Sequence, residues 1–162
     1  MKPWLRLTLI TMTVGGGFAG FVSTLQSLFN SSRASTLNLL LTVVFMGLYA
    51  FVTASGLLFV HDPTRTGPLL AALAIQIPAI SSSVIVYKFA AGLETFVSVG
   101  GSEQKNAMGV HFDWDLLLGG SWRFALQQDN PLRVGVNVAA LAFLLLLWRT
   151  LQRTNRLPAQ TP

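Results

Sequence analysis

The feature that most constrains this chain is the run from Thr36 to Val60, in which no Asp, Glu, Lys, Arg or His appears before His61. A helix over those residues reaches the roughly 20 residues needed to cross about 30 Å of hydrocarbon. Three further apolar stretches approach or exceed that length, at Leu5–Phe29, residues 68–88 and Leu132–Trp148. Together they predict an all-α membrane protein, a four-transmembrane-helix bundle with spans at 5–29, 36–60, 68–88 and 132–148. Composition agrees, because 52% of the chain is hydrophobic and only 10% is charged, where a soluble domain carries about a quarter charged residues.

The first run is entered through Lys2, Trp4 and Arg6, as a signal peptide would be, but it is too long for an h-region and no A-x-A-like site follows it. It reads as a retained span. The second is closed by His61-Asp62-Pro63, the proline discouraging further helix. Pro68 suits the first turn of the third span, where its missing N–H costs nothing, and Pro78 near that span's middle predicts a kink. Trp148-Arg149 suits the headgroup region at the end of the fourth, and 149–162 reads as a short disordered tail.

Four spans place both termini on one side together with Lys2, Arg6, Arg65, Arg149, Arg153 and Arg156, against Arg33, Lys88, Lys105, Arg123 and Arg133 on the other. The positive-inside rule then makes the termini cytoplasmic and the long third loop extracytoplasmic, in an integral membrane protein of the bacterial inner membrane. The formal charge of +5 is scattered singly, without the basic face that nucleic acid requires. With no cysteine, disulfides, thiolate metal ligands and cysteine nucleophiles are excluded.

Residues 92–130 form the predicted extracytoplasmic β insertion. Val110, Phe112, Trp114, Leu116 and Leu118 alternate with His111, Asp113, Asp115 and Leu117, the period of a half-buried strand. Gly119-Gly120 offers a hairpin turn, after which Trp122, Phe124 and Leu126 alternate with Ser121, Arg123 and Ala125. Leu93–Val99 supplies a third strand. His111, Asp113 and Asp115 are a candidate metal set, although same-side positions nearly 7 Å apart along one strand converge poorly, and a solvated polar face explains them as simply.

Within the spans, Gly16 and Gly20 with Ser23 form a small-residue face suited to close helix packing. Gln76, Pro78, Ser81 and Ser82 place polar groups at mid-membrane, where they need partners across the bundle or along a solute path. No ionisable residue falls well inside any predicted span, which disfavours a proton relay. His61 and His111 fall on opposite predicted sides, so no serine triad assembles and no catalytic residue is assigned; nothing calls for a cofactor. The expected function is association, as an accessory subunit or binding partner of another membrane or extracytoplasmic protein, or as a homo-oligomer in the lipid bilayer. The aromatics Phe112, Trp114, Trp122 and Phe124 would serve as contact surface. An oligomeric pore or carrier for a small solute is the second expectation, and a lipid-modifying enzyme at the outer leaflet through His111, Asp113 and Asp115 the third.

Overall fold

Ser35 opens the longest helix by accepting a hydrogen bond from the Asn38 backbone N–H at 3.3 Å, the usual task of an N-cap serine. The computed structural model describes residues 2–30, 35–101, 108–126 and 132–155, with side chains of residues 30, 101–118 and 153–155 excepted. Helix α3 (Thr36–His61) follows Ser35 without a break and ends where the Asp62 N–H returns to the Leu58 carbonyl at 2.8 Å. At 1.5 Å per residue its 26 residues cover about 39 Å. Before it, α1 (Pro3–Ile10), a π-helical turn (Thr11–Gly15) and α2 (Gly16–Asn30) form one rod. Among the described residues, this rod and α3 are the two helices long and apolar enough to cross a membrane. They lie side by side, and α3 leaves Leu39, Leu40, Val43, Val44, Leu57 and Leu58 exposed.

The loop after α3 is tied by its own side chains. Asp62 Oδ1 accepts from the Thr64 hydroxyl at 2.6 Å and from the Thr64 N–H at 3.0 Å. These two bonds, with Arg65 Nε at 3.2 Å from Oδ2, hold the Asp62 carboxyl below the ordinary carboxylate range.

The expected third and fourth spans are not membrane-length helices. Helix α4 (Gly67–Ile75) has nine residues, and Pro78 then opens strand β1 (Pro78–Ser81) where a kinked helix was expected. Strand β2 (Ile85–Gly101) takes up the rest of the third run. Proline explains the change: it has no N–H to continue the helix, and it pushes the preceding residue out of the α region. Ser82 then makes a tight return, its hydroxyl donating to the Ile85 carbonyl at 3.0 Å and accepting from the Ile85 N–H at 3.1 Å. The fourth run begins as strand β4 (Arg133–Asn137) and only then becomes α5 (Val138–Asn155), whose apolar part, Val138–Gln152, is shorter than a span.

The fold is therefore mixed rather than an all-α four-helix bundle. Four antiparallel strands run in the order β1-β4-β2-β3, and β1 also pairs with β2. Strand β3 (Met108–Leu126) continues straight through Gly119-Gly120, so the predicted hairpin turn does not occur there. Its register with β2 runs from Ile85↔Leu126 to Gly101↔Met108, and the residues between, 102–107, lie outside the described residues. Two apolar clusters hold the parts together. Leu5, Leu9, Phe59, Leu69, Leu73 and Leu147 join α1, α3, α4 and α5 at one end. Phe45, Tyr49, Val52, Ala72, Phe89 and Ala91 join α3 and α4 to the sheet.

Candidate functional site

Strand β2 sorts its side chains by parity. The odd positions Tyr87, Phe89 and Ala91, with Trp122 and Phe124 from β3, press on α3. Trp122 stacks on Phe45 with centroids 4.5 Å apart and planes at 16°, and Tyr49 meets Phe89 at 4.9 Å. The Tyr49 hydroxyl, near the middle of α3, donates to the Ala90 carbonyl at 3.3 Å. Glycines allow this approach. Gly16 lies against Gly92 and Gly20 against Gly120, and a Cβ at any of these four would overlap its neighbour. Gly92 has φ +100°, a conformation that side-chain-bearing residues rarely adopt.

The even positions face the other way, and there β2 folds on itself. Lys88 and Glu94 form an ion pair although six residues separate them, which along a straight strand is about 20 Å. Lys88 Nζ also lies 4.6 Å from the centroid of Phe96, two residues further on. The bend falls at Gly92 and at the irregularity between Glu94 and Phe96, where Trp114, Asp115 and Leu116 of β3 stand opposite Thr95 alone. Buried Asn137 holds the bend. Its amide Oδ1 accepts from the Thr95 N–H at 3.4 Å, its Nδ2 donates to the Leu93 carbonyl at 3.4 Å, and Oδ1 also accepts from the Ala140 N–H at 3.3 Å at the start of α5.

The two limbs of β2, bridged by β1 and β4, enclose a cup of mixed polar and apolar lining. Its cavity of about 190 Å³ is lined by Ala79, Ile80, Ser81, Val86, Tyr87, Lys88, Phe96, Ser98, Arg123, Arg133 and Gly135. Glu94 is buried and accepts from the Ser121 hydroxyl. Arg123 stands directly across from Lys88 in the β2–β3 register and makes no hydrogen bond or ion pair among the described residues. The Ser98 Oγ is buried without a partner among the described residues. Ile80, Val134 and Val99 form one exposed apolar row across β1, β4 and β2. The bend is level with the middle of both long helices, at Gly16 and Tyr49, and from Phe89 to Tyr87 the first limb moves toward the Thr36 end.

Several residues singled out in the sequence sit elsewhere than in a span. Gln76 is buried at the end of α4, donating to the Ala72 carbonyl at 2.9 Å and accepting from the Ala91 N–H at 2.8 Å, so it joins helix to sheet. Pro78 pairs with Val136, and Ser81 with Val86 and Arg133. Ser23 is exposed. Trp122 and Phe124 face the chain's own α3. In the backbone, His111 lies opposite Ser98, Asp113 opposite Phe96, and Asp115 in the irregular stretch; their side chains, with those of Phe112 and Trp114, fall outside the described residues. Among the described residues no group of three or more His, Asp or Glu could hold a metal.

Lys88, Glu94 and Arg123 are the residues that the sequence did not mark. In the sequence Lys88 reads as the end of the third run, Glu94 as part of the strand Leu93–Val99, and Arg123 as a residue on the polar face of the strand after Gly119-Gly120. The available signal was the even spacing of Lys88 and Glu94, opposite charges on one face of a strand. No protein-family model matches the chain, and neither a curated protein nor a solved structure is similar to it.

Proposed function

We propose that this chain works by association within a membrane, as a subunit or binding partner whose companion covers the open side of the cup. The observation that carries this reading is the ion pair of half-buried Lys88 with buried Glu94, with Arg123 across the strand pair from Lys88, level with the middle of two membrane-length helices. Charged groups at that depth are costly unless they face protein or a water-filled cavity, and open strand edges are not left against lipid. Among the described residues β3 pairs with β2 alone, so the other edge of this 19-residue strand has no strand partner among them. A neighbouring protein or a second copy supplies what this chain lacks. The basic residues Arg6, Arg65 and Arg149, close to helix ends, favour cytoplasmic termini in a bacterial inner membrane.

A second reading, an oligomeric pore or carrier, is favoured by the depth to which the cup reaches, since transport sites lie near the midplane. Both readings require neighbours, and the absence of native cysteine makes the test direct. Leu126→Cys at the end of β3 is expected to give an intermolecular crosslink in intact membranes, whereas Gly47→Cys, on an exposed and uncrowded part of α3, gives none. A monodisperse monomer in mild detergent, with no crosslink from Leu126→Cys, would remove the proposal.

A further inference from the structure

We infer that one face of the sheet is a lipid-contacting surface, immersed in the acyl chains of the leaflet on the Thr36 side. The pairing lays one row of residues across β3, β2, β1, β4 and the second limb of β2, Phe124↔Tyr87↔Ile80↔Val134↔Val99. Directly opposite residues share a face, and every member of this row is aliphatic or aromatic. At its start the Phe124 and Tyr87 rings each lie 6.5 Å from Phe45 of α3, centroid to centroid. Further along, Ile80, Val134 and Val99 are exposed. Two positions away on each strand, and so on the same face, Pro78↔Val136↔Val97 forms a second row equally free of polar side chains. The positions between them carry Ser81, Ser98, Lys88, Arg123 and Arg133, which belong to the cup.

Depth, backbone pairing and extent commit this surface to lipid. Phe45 is the tenth residue of α3, about 14 Å from the Thr36 end, which falls inside the roughly 30 Å of hydrocarbon that α3 is long enough to cross. The second row lies between that level and the bend, since Gln76, two residues before Pro78, accepts from the Ala91 N–H, and Asn137, next to Val136, holds the bend itself. Ile80 pairs with Tyr87 and Val134, Val134 with Ile80 and Val99, and Val99 with Val134 and Val110. Each exposed member of the row therefore has a strand on both sides, and a sheet meeting hydrocarbon there presents no open edge. Water on this face would call for polar residues at these positions, and none stands at them. A stable protein interface takes about 20–30 residues a side, far more than the six of the uncovered part, Pro78, Ile80, Val97, Val99, Val134 and Val136. The inference rests on the membrane placement proposed above and not on the partner.

The experiment uses the full chain in phosphatidylcholine–phosphatidylglycerol vesicles. The chain has no native cysteine, so a nitroxide on Val134→Cys reports the sheet face, and one on Val44→Cys, exposed on α3 beside Phe45, is the reference at the same depth. Collisions of each label with oxygen and with a neutral water-soluble nickel chelate are read by power saturation of its paramagnetic resonance. At both positions oxygen is expected to collide freely and the chelate to be excluded. Val99→Cys, on the neighbouring strand of the row, should give the same reading if the Val134 variant fails to fold. Chelate access at Val134 with exclusion at Val44 puts the face in water and overturns the inference. Loss of both collisions at Val134 means that protein covers it, and overturns it equally. Chelate access at both positions removes the membrane placement, and the inference with it, whatever crosslinking of Leu126→Cys shows.

Discussion

The smallest residues set the closest contacts in this protein. At Gly92 two requirements coincide: a positive φ that turns β2 back on itself, and a backbone seated against Met12 and Gly16 with no room for a methyl group. Gly47, by contrast, lies in an exposed stretch of α3 with nothing near the position a Cβ would take. Gly92→Ala should therefore destabilise by about 2–4 kcal/mol, from backbone strain plus overpacking. Gly47→Ala should stabilise by up to about 1 kcal/mol through helix propensity. Unfolding in mixed micelles with increasing dodecyl sulfate measures both, and equal effects would contradict the placement of Gly92. The small face of Gly16 and Gly20 was legible in the sequence as a place of close packing. That Gly92 and Gly120 of a sheet lie there was not, because glycine spacing reports the groove and not its occupant.

Among the elements, those whose covering matches their pattern were the readable ones. α3 and the α1–α2 rod carry long runs without charge, flanked by caps and prolines, and both are helices. The strands at 85–91 and 133–137 were hidden for a physical reason. β2 is covered on one face by α3 and on the other by the cup, so Ile85 to Ala91 reads as nearly continuous apolar sequence rather than alternation, and such a run resembles a buried helix. The β-branched residues Ile80, Val84, Ile85 and Val86 after Pro78 were the contrary signal. At the other end Asn137 marks the passage from β4 to α5, capping the helix and satisfying the backbone of the bend. Asn137→Ala should lower stability by about 2–4 kcal/mol, the sum of a lost cap and two orphaned backbone groups. Asn137→Ser keeps an N-cap oxygen and should recover about 1 kcal/mol of that in the same assay.

Over the whole molecule, the distinction is between crossing the bilayer and occupying it. The α1–α2 rod and α3 are long enough to cross, and the cluster of Leu5, Leu9, Phe59 and Leu147 gathers the start of the rod, the end of α3 and the C-terminal half of α5. The start of the chain and the 62–66 loop therefore lie at one end of the helix pair, with Ser35 at the other. Single cysteines at Arg65 and Ser35 should react with an impermeant maleimide from opposite faces of sealed vesicles. Labelling of both from the same face would mean that α3 does not cross. Two helices long and apolar enough to cross a membrane were thus legible from composition and run length, whereas the cup depends on contacts between residues more than forty positions apart, such as Asn137 with Leu93 and Thr95. Those contacts also impose an order in time. The bend in β2 is held by an asparagine that leaves the ribosome some forty residues later, so both long helices are synthesised before the Lys88–Glu94 pair can be enclosed. During that interval the charged ribbon must wait in water or in the care of a chaperone, and maturation becomes a late zipping of sheet onto helices already in place.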